Sequence, residues 1–397
     1  MPLEKSYIPY GAYWSSPFCR WQGSLAGLNS VELAARTTTR FLDGRGIAAE
    51  DLDGVVLGFT VPQRSSFYGA PWLAGMIGAA GITGPNISQA CATAPRSVAT
   101  AAMEVETGLR ENVLVVTCDR TSNGPHIYYP NPAGIGGRGE TEEWVWDNFN
   151  RDPFAGKAMA ATAENVAREA GITREEQDQI ALMRYQQYEN ALADDRAFQR
   201  RYMLPLEVPA GRKKTRMVEE DEGVFPTTAE GLAKLRPVVE GGTLTFGTQT
   251  HPADGNAGII VCSKERAAAM SADASVTIRV AGFGDARVKK SFMPMAPVPA
   301  ARSALAHAGI TLDDVNAIKT HNPFAVNDAY FCRELGVAPD RMNNYGSPLV
   351  YGHPQGPTGL RVIAELIEEL AITGGGYGLF SGCAAGDTAM ALVLEVS

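Results

Sequence analysis

The sequence has no closely spaced cysteines, and this limits the kinds of site that it can build. Six cysteines are scattered through 397 residues without a C-x-x-C pair or a closely spaced histidine partner: Cys19, Cys91, Cys118, Cys262, Cys332 and Cys383. A disulfide framework or a zinc site is therefore not expected. Free thiols in a reducing compartment are the natural interpretation, and we expect a cytoplasmic protein.

Long apolar runs and an excess of basic residues are also missing. No apolar run approaches the roughly 18 residues of a spanning helix, and the first residues, Met-Pro-Leu-Glu-Lys, lack the pattern of a signal peptide. Acidic residues outnumber basic ones, 44 to 35, and the formal net charge is −9. Neither a nucleic acid nor an anionic membrane surface is therefore expected as a partner, because both are bound by clustered lysine and arginine.

The stretch from Asn86 to Ser97 contains the most informative cysteine. Cys91 follows a glycine-rich turn and is predicted to open a helix rich in alanine and valine. The positive end of a helix dipole favours a thiolate, so Cys91 is a candidate nucleophile. A buried structural cysteine is the alternative, and this stretch alone does not decide between the two.

Strands and helices alternate in the first 120 residues. Apolar periodicity predicts a helix over residues 28–45, begun near Asn29 or Ser30. Short apolar runs predict strands at Gly54–Gly58 and Asn112–Cys118, with a second helix between them. This alternation is typical of an α/β layer architecture.

The last third of the chain repeats the first. Residues 309–321 echo residues 46–58 in a helix-ending Gly-Ile, an acidic pair and an apolar strand. A helix from Gly356 to about Ala371 and a strand over Gly376–Cys383 then follow in the same order as their counterparts in the first part. Two similar halves of one fold are therefore predicted, rather than a solenoid.

The segment 121–240 interrupts this pattern and is interpreted as an inserted loop domain that covers a site on the α/β core. A basic run extends from Arg200 to Arg216. The core halves then comprise residues 1–120 with 241–272, and residues 273–397. The segment is also rich in aromatic residues, which could cover the site or form a small core of their own. They are Tyr128, Tyr129, Trp144, Trp146 and Phe149.

Two thiols and two imidazoles fall at predicted strand ends or helix starts, where α/β folds place their sites. They belong to Cys91, His321, His353 and Cys383. Corresponding positions of duplicated halves tend to meet at a shared face. The second half is therefore expected to bring its histidines and its cysteine towards Cys91.

These residues give the chain a resemblance to the thiolases, acyltransferases that make or break a carbon–carbon bond β to a coenzyme A thioester. The motifs that carry it are Cys91 at a helix start, Gly352-His353-Pro354, His321-Asn-Pro-Phe324 and Cys383-Ala-Ala-Gly386. The resemblance spans nearly the whole chain. It implies the five-layered αβαβα thiolase fold, with two duplicated α/β/α halves and an inserted loop domain.

The resemblance also implies a mechanism. His353 would take the proton of Cys91, and the thiolate would attack a β-ketoacyl-CoA to give an acyl-cysteine. Cys383 would protonate the released enolate and later accept the proton of the incoming CoA. Coenzyme A is then a cosubstrate, and neither a permanently bound cofactor nor a metal is implied.

Oxygen charge develops twice in this reaction, so two oxyanion sites are implied. By resemblance, the backbone N–H groups of Cys91 and Ala385 would form one. His353 and a water molecule held by the side chain of His321 or Asn322 would form the other. A core histidine bonded to the backbone is the alternative for His321.

The departures from the common motifs indicate a subtype. Asn-Glu-Ala-Phe is replaced by His321-Asn-Pro-Phe324, which, with the turn at residues 250–255, resembles the sterol-carrier and archaeal-like thiolases. Cys383-Ala-Ala-Gly386 keeps the backbone donors of a C-x-G-G-G turn but adds two methyl groups. The aromatic segment suits a bulky substrate, as in the benzoylsuccinyl-CoA thiolases.

The resemblance further implies a homodimer or higher oligomer, and thiolases of this subtype often work with a small OB-fold, zinc-bearing partner. The basic run from Arg200 is a candidate for the CoA phosphates, although a solvated charged face is the commoner meaning of such a run. No CoA contact can be assigned residue by residue.

The same residues distinguish a degradative thiolase from other enzymes and binding proteins of this fold. A ketoacyl synthase generally lacks a second cysteine, and thiolase-like aldolases typically replace the nucleophilic one, so Cys383 and Cys91 disfavour both. A non-catalytic acyl-CoA-binding subunit is disfavoured by the retention of Cys91, His353 and Cys383 together. A biosynthetic thiolase that forms acetoacetyl-CoA remains an open alternative.

Overall fold

The computed structural model describes residues 2–397 and contains 15 strands and 12 α-helices within that range. None of these helices has the length and apolar character that crossing a membrane requires. The strands are β1 Tyr7–Ile8, β2 Tyr13–Ser15, β3 Cys19–Arg20, β4 Gly54–Gly58, β5 Asn86–Ile87, β6 Asn112–Arg120, β7 His126–Tyr129, β8 Glu140–Glu143, β9 Leu206–Pro209, β10 Thr215–Val218, β11 Ala253–Cys262, β12 Ile278–Arg287, β13 Val315–His321, β14 Gly376–Ala384 and β15 Thr388–Val396. The helices are α1 Ser30–Arg45, α2 Gly69–Met76, α3 Thr93–Glu106, α4 Trp144–Asn150, α5 Met159–Ala170, α6 Arg174–Arg196, α7 Ala229–Ala233, α8 Lys264–Met270, α9 Pro297–Ala308, α10 Ala325–Leu335, α11 Pro348–Tyr351 and α12 Gly356–Thr373.

One large sheet organises the strands of the core. Its order is β13-β14-β15-β12-β1-β11-β6-β4-β5, with β2 and β3 paired to β11. The short strand β1 joins the two halves of this sheet, because Tyr7 lies opposite both Cys262 of β11 and Arg279 of β12.

The two halves repeat each other in topology. In the first, β4 runs parallel to β6 and β6 antiparallel to β11. In the second, β13 runs parallel to β14 and β14 antiparallel to β15. Helices α1 and α9, which precede β4 and β13, both end at a glycine in the left-handed region, Gly46 and Gly309. The duplication predicted from the sequence is therefore present.

Helices α3 and α12 form the central layer of the molecule. One apolar cluster joins them to strands of both halves, including Val115 of β6 and Phe380 of β14. Separate clusters pack α1 and α2 on the outer face of the first half, and α9 and α10 on that of the second. The order of layers is thus helices, half-sheet, helices, half-sheet, helices.

The chain between β6 and β11 leaves the large sheet. It contains the antiparallel pairs β7–β8 and β9–β10, together with helices α4 to α7. An apolar cluster joins α5 and α6 to α10, Phe324 and Cys383. The segment therefore packs directly against strand and helix ends of the second half.

Most predicted elements occur within a few residues of their expected bounds. Asn29 caps α1 by accepting hydrogen bonds from the N–H groups of Val31 and Glu32, as the sequence indicated. The side chain of Thr173 likewise accepts from the N–H of Glu176 at the start of α6. The helix expected to begin at Cys91 instead begins at Thr93, which leaves the cysteine in the preceding turn.

A buried ion pair joins the inserted segment 121–240 to α12. Arg361 donates two hydrogen bonds to Asp221, at 2.6 and 2.8 Å, and both side chains are fully buried. The carboxylate of Glu365 accepts a further bond from the same guanidinium at 3.1 Å.

Replacement of Asp221 by asparagine should destabilise the fold by about 3 kcal/mol, because it leaves the Arg361 charge buried with one fewer counter-charge. Urea unfolding followed by circular dichroism measures this loss. Asp195→Asn is the matched control, since its pair with Arg200 is exposed and should contribute less than about 0.5 kcal/mol. Equal stabilities of the two variants would contradict the assignment.

Candidate active site

Cys91 lies in a tight turn immediately before α3. The residue before it, Ala90, has a positive φ of 45°, which residues with a side chain rarely adopt. Thr93 stabilises the turn, since its hydroxyl donates to the carbonyl of Ala90 at 2.7 Å and accepts from the N–H of Gln89 at 2.8 Å. Cys91 as a whole residue is partly accessible to solvent, whereas its thiol group is buried.

His353 faces this sulfur from the second half. Its Nε2 lies 3.2 Å from Sγ of Cys91, and its Nδ1 lies 2.6 Å from the hydroxyl of Thr358. The N–H of His353 donates to the carbonyl of His251 at 2.9 Å, which anchors the loop between α11 and α12. Held from both sides, the imidazole can exchange a proton with the thiol.

His321 ends β13 and stacks beside His353. The two ring centroids are 4.2 Å apart, with an angle of 34° between the planes. Within residues 2–397, neither ring nitrogen of the buried His321 has a hydrogen-bond partner. The donor atoms of Cys91, His321 and His353 all lie within 4.8 Å of one another, a spacing that a metal ion would also tolerate. We interpret Cys91 and His353 of this cluster as an acid–base pair, because the thiol and the imidazole are 3.2 Å apart.

Cys383 brings a second thiol to the site. It lies near the end of β14 and is fully buried. The side-chain nitrogen of Asn327, on α10, lies 3.3 Å from its Sγ. Two residues further along the chain, the backbone N–H of Ala385 lies near the sulfur of Cys91 and lowers the pKa of that thiol.

Burial keeps every group of this cluster neutral. It raises the pKa of Cys91 to about 12, against the opposing effect of the N–H groups of Ala385 and Cys91 itself. It lowers the pKa of His321 to about 3 and, together with His321, holds the pKa of His353 well below 6.5. Burial also raises the pKa of Cys383 well above 9.

The thiolate expected at the start of α3 is therefore not the resting form. The helix dipole favours a thiolate, but the loss of solvation at the sulfur outweighs it. The resting site therefore contains two thiols and two neutral imidazoles, and a thiolate at Cys91 would have to be generated by proton transfer.

The side chain of Asn322 is hydrogen-bonded to other buried groups of the protein. Its side-chain nitrogen donates to Asp328 at 2.7 Å, and its oxygen accepts the N–H of Leu349 at 3.3 Å. Asp328 is itself held by the guanidinium of Arg184 at 2.8 Å. Of the neighbours His321 and Asn322, the histidine has unused hydrogen-bonding atoms and the asparagine side chain has both a donor and an acceptor engaged.

Comparison with known proteins decides the family. Residues 13–265 match the family model described as "Thiolase, N-terminal domain", and residues 274–396 match "Thiolase, C-terminal domain". The chain belongs to the thiolase family. It is accordingly a thiolase-type acyl-CoA acyltransferase.

Relatives along the whole length support this assignment. The chain is 30% identical to the acetyl-CoA acetyltransferase of Pseudomonas aeruginosa over 383 residues, covering 94% of this chain and 95% of that protein. It is 26% identical to a beta-ketoadipyl-CoA thiolase of Acinetobacter baylyi over 392 residues, covering 96% and 97%. The crystal structure of human mitochondrial 3-ketoacyl-CoA thiolase in complex with CoA superposes with a TM-score of 0.91 at 27% identity, covering 100% and 99% of the chains. The predicted thiolase fold is confirmed.

The structure of this thiolase-family member adds site contacts that the sequence did not indicate. Thr358 and Asn327 each contact a candidate catalytic side chain, and Gln355 lies 3.3 Å from the Cys91 sulfur. Gln355 directly follows the Gly-His-Pro motif and Thr358 lies four residues after its proline, so nearness to the motif was the one available signal. The sequence contains no such signal for Asn327, because only the folding of α10 against β14 brings this residue to Cys383.

Replacement of His321 by glutamine should make folding less sensitive to acid. The unfolded chain protonates this histidine below about pH 6.5, whereas burial keeps the folded form neutral down to about pH 3. Stability is therefore lost as pH falls through that window, and the variant lacks this loss. Urea unfolding at pH 7 and pH 4.5 measures the difference between the two free energies.

His126→Gln is the matched control, because His126 is exposed on β7. The free energy of unfolding should fall less between the two pH values in His321→Gln than in the wild type and the control. An equal fall in all three proteins would contradict a neutral, buried His321.

Proposed function

We propose that the protein is a thiolase that cleaves a β-ketoacyl-CoA with CoA through an acyl-cysteine on Cys91. The observation that carries this is the 3.2 Å contact between Nε2 of His353 and Sγ of Cys91, with the second thiol of Cys383 lining the same site. A base beside one thiol and a separate proton carrier are what a reversible Claisen reaction requires.

In the first half-reaction, His353 takes the thiol proton of Cys91 as the sulfur attacks the β-keto carbon. The bond between the α and β carbons then breaks. The acyl group remains on sulfur as a thioester, and the electron pair of the broken bond forms the enolate of acetyl-CoA. Cys383 donates its proton to the α carbon, which releases acetyl-CoA and leaves Cys383 as a thiolate.

In the second half-reaction, a CoA thiol enters and gives its proton to the Cys383 thiolate. The CoA sulfur attacks the thioester carbonyl, and the bond between that carbon and Sγ of Cys91 breaks. The departing Cys91 thiolate recovers its proton from His353. The products are a shortened acyl-CoA and the enzyme in its starting form.

The backbone N–H groups of Cys91 and Ala385 are proposed as the donors for the tetrahedral intermediate, since both lie near the reacting sulfur and lower the pKa of its thiol. For the enolate oxygen, we propose His353 and a water molecule held by His321 rather than by Asn322. Both ring nitrogens of His321 lack a partner within residues 2–397, whereas Asn322 is bonded to Asp328 and Leu349. The loss of one oxyanion donor typically costs about 3 kcal/mol of barrier.

The acyl-cysteine is directly testable by mass spectrometry. Intact and peptide mass spectra after mixing with acetoacetyl-CoA, without free CoA, should show one acyl adduct on Cys91, because the second thiol substrate is missing. Cys91→Ser should form no adduct on this timescale, since a hydroxyl is a far weaker nucleophile beside a neutral imidazole. Cys118→Ala, which removes a buried cysteine of β6, is the control and should acylate like the wild type. An adduct on another residue would overturn the assignment.

The acyl group is the finer part of the proposal. Relatives named for acetyl-CoA acetyltransferase and for 3-ketoacyl-CoA or beta-ketoadipyl-CoA thiolase activity support a β-ketoacyl-CoA in general. The aromatic segment, which suggested a bulky or aromatic acyl group, has other partners. Trp144 donates to the carbonyl of Thr60, and Trp146 packs on Trp21 and Phe149. These contacts favour acetoacetyl-CoA and similar aliphatic substrates, and a benzoylsuccinyl-CoA-type substrate is the second candidate.

A CoA-dependent cleavage assay separates the two substrates. We expect kcat/KM for acetoacetyl-CoA to exceed that for an aromatic β-ketoacyl-CoA by at least about tenfold, because the indoles of Trp144 and Trp146 are already engaged by other groups of the protein. Release of acetyl-CoA, quantified by chromatography, is the readout for both. A preference for the aromatic substrate would instead favour the bulky-substrate subtype.

Only part of the basic run from Arg200 to Arg216 is proposed to bind CoA, because two of its arginines are paired with acidic residues of the protein. Arg200 pairs with Asp195 and Arg201 with Glu368, each at 2.6 Å. The exposed residues 212–214, in the turn between β9 and β10, are the part of the run that we propose for the CoA phosphates.

The remaining finer assignments stay predictions. They are the division into residues 1–120 with 241–272, 121–240 and 273–397, the sterol-carrier or archaeal-like subtype, the degradative direction, the cytoplasmic location, the homodimer or higher oligomer, and the small OB-fold, zinc-bearing partner. The biosynthetic direction uses the same residues in reverse. The paired Cys91 and His353 argue against a non-catalytic subunit.

A further inference from the structure

Gln355 has an unusual backbone conformation next to the reacting sulfur. It precedes α12 with φ 63° and ψ −104°, in a region that residues with a side chain rarely adopt. Its neighbours hold it there. The N–H of Gly356 donates to the carboxylate of Asp119 at 2.8 Å, and the N–H of Thr358 donates to the Gln355 carbonyl at 3.3 Å. The enforced backbone aims the side chain at Cys91.

The side-chain amide of Gln355 has one partner, and it is the nucleophile. Its oxygen lies 3.3 Å from Sγ of Cys91. Within residues 2–397, the amide nitrogen donates to no other group, and it is not sealed off from solvent. Rotation of the Gln355 side-chain amide would therefore bring an unused N–H donor to the sulfur of Cys91.

The thiol and the thiolate of Cys91 need opposite partners. A thiol can donate its proton to the amide oxygen, but a thiolate would be repelled by that oxygen and stabilised by an N–H. Rotation of the amide by 180° exchanges its oxygen and nitrogen at almost no change in shape. Gln355 can therefore satisfy both protonation states of the sulfur.

The other groups that face Cys91 offer the thiolate no positive charge in the resting protein. His353 and His321 are neutral, Cys383 carries a second thiol, and Asp119 opposes a negative sulfur whenever it is ionised, which its raised pKa of about 7 allows above neutral pH. The stabilising donors besides His353 are backbone N–H groups. The Gln355 amide is the one additional side-chain donor in contact with this sulfur among the residues described.

We propose that Gln355 is a catalytic residue, whose side-chain oxygen accepts a hydrogen bond from the Cys91 thiol in the resting protein and whose N–H donates to the thiolate during attack and release. The assignment rests on the proposed function, because it takes Cys91 as the nucleophile. No covalent bond forms to Gln355, and the proton of Cys91 still passes to His353.

Alkylation of Cys91 by iodoacetamide, located by peptide mass spectrometry, tests this without any thiolase substrate. In Gln355→Met the rate at pH 8 should fall about three- to tenfold. A lost hydrogen bond to a charged group raises the thiol pKa by about one to two units, and the higher intrinsic nucleophilicity offsets nearly half of the effect. Gln186→Met, on the exposed face of α6, is the matched control and should react like the wild type.

Gln355→Glu separates a direct contact from a merely structural role. The protonated carboxyl has the shape of the amide and can donate to the thiolate, whereas the ionised carboxylate repels it. The alkylation rate relative to wild type should therefore fall at least about tenfold between about pH 5 and pH 8, as the carboxyl ionises. A side chain that only fills space would give a ratio independent of pH.

Circular dichroism and thermal unfolding report whether each variant is folded. If Gln355→Met does not fold, the proposal is tested with Gln355→Glu. Unchanged alkylation in folded Gln355→Met, or a ratio independent of pH in Gln355→Glu, would overturn the role of Gln355 even if acyl-Cys91 forms normally. The expected alkylation pattern without any acyl adduct on Cys91 would leave the sulfur contact standing and overturn its use in thiolase catalysis.

Discussion

Helices α3 and α12 are enclosed between the two half-sheets, and the arrangement of the site depends on this burial. Each half of the duplicated fold contributes one of the helices, and apolar strands from both halves cover them. Cys91 lies just before α3 and His353 just before α12. Because the two helices share one core, their starting turns meet, and a thiol from one half faces an imidazole from the other. Residues 262 positions apart in sequence therefore meet at 3.2 Å.

The same burial determines the charge of the site. Water is removed from both partners, so the ion pair of thiolate and imidazolium is disfavoured and the neutral pair is the resting state. Backbone N–H groups partly offset this loss at the sulfur. In the resting protein the thiol of Cys91 therefore stays protonated beside a neutral imidazole.

A buried polar layer supports the reacting side chains. The carboxylate of Asp119 accepts the N–H groups of Thr60, Val61 and Gly356, and so joins the end of β4 to the start of α12. Burial raises its pKa to about 7 despite these bonds. On the other side, Asp328 accepts hydrogen bonds from the side chains of four further residues: Arg184, Thr320, Asn322 and Asn343. Dense buried hydrogen-bond networks of this kind hold the turns in one geometry.

Local pattern was sufficient for most of the fold. Asn29, the strand Gly54–Gly58 and the glycines that end α1 and α9 are read from nearest neighbours in the chain, where capping, apolar runs and left-handed turns leave a local signature. The exact start of α3 was not predictable in this way. Ala90 adopts a positive φ because Thr93 and Gln89 bond around it, and no propensity favours alanine there.

The sequence by itself determined the types of residue available for chemistry and the duplicated order of the elements that carry them. It left His321 and Asn322 equivalent, and it gave Gln355 and Asn327 no role. Only the tertiary structure decided these points, because they depend on which buried atoms already have partners. Hydrogen-bond satisfaction and desolvation are properties of a packed interior, assembled from segments far apart in the chain. The pKa values of Cys91 and His353 follow from that interior and could not be read from the neighbours of either residue in the sequence.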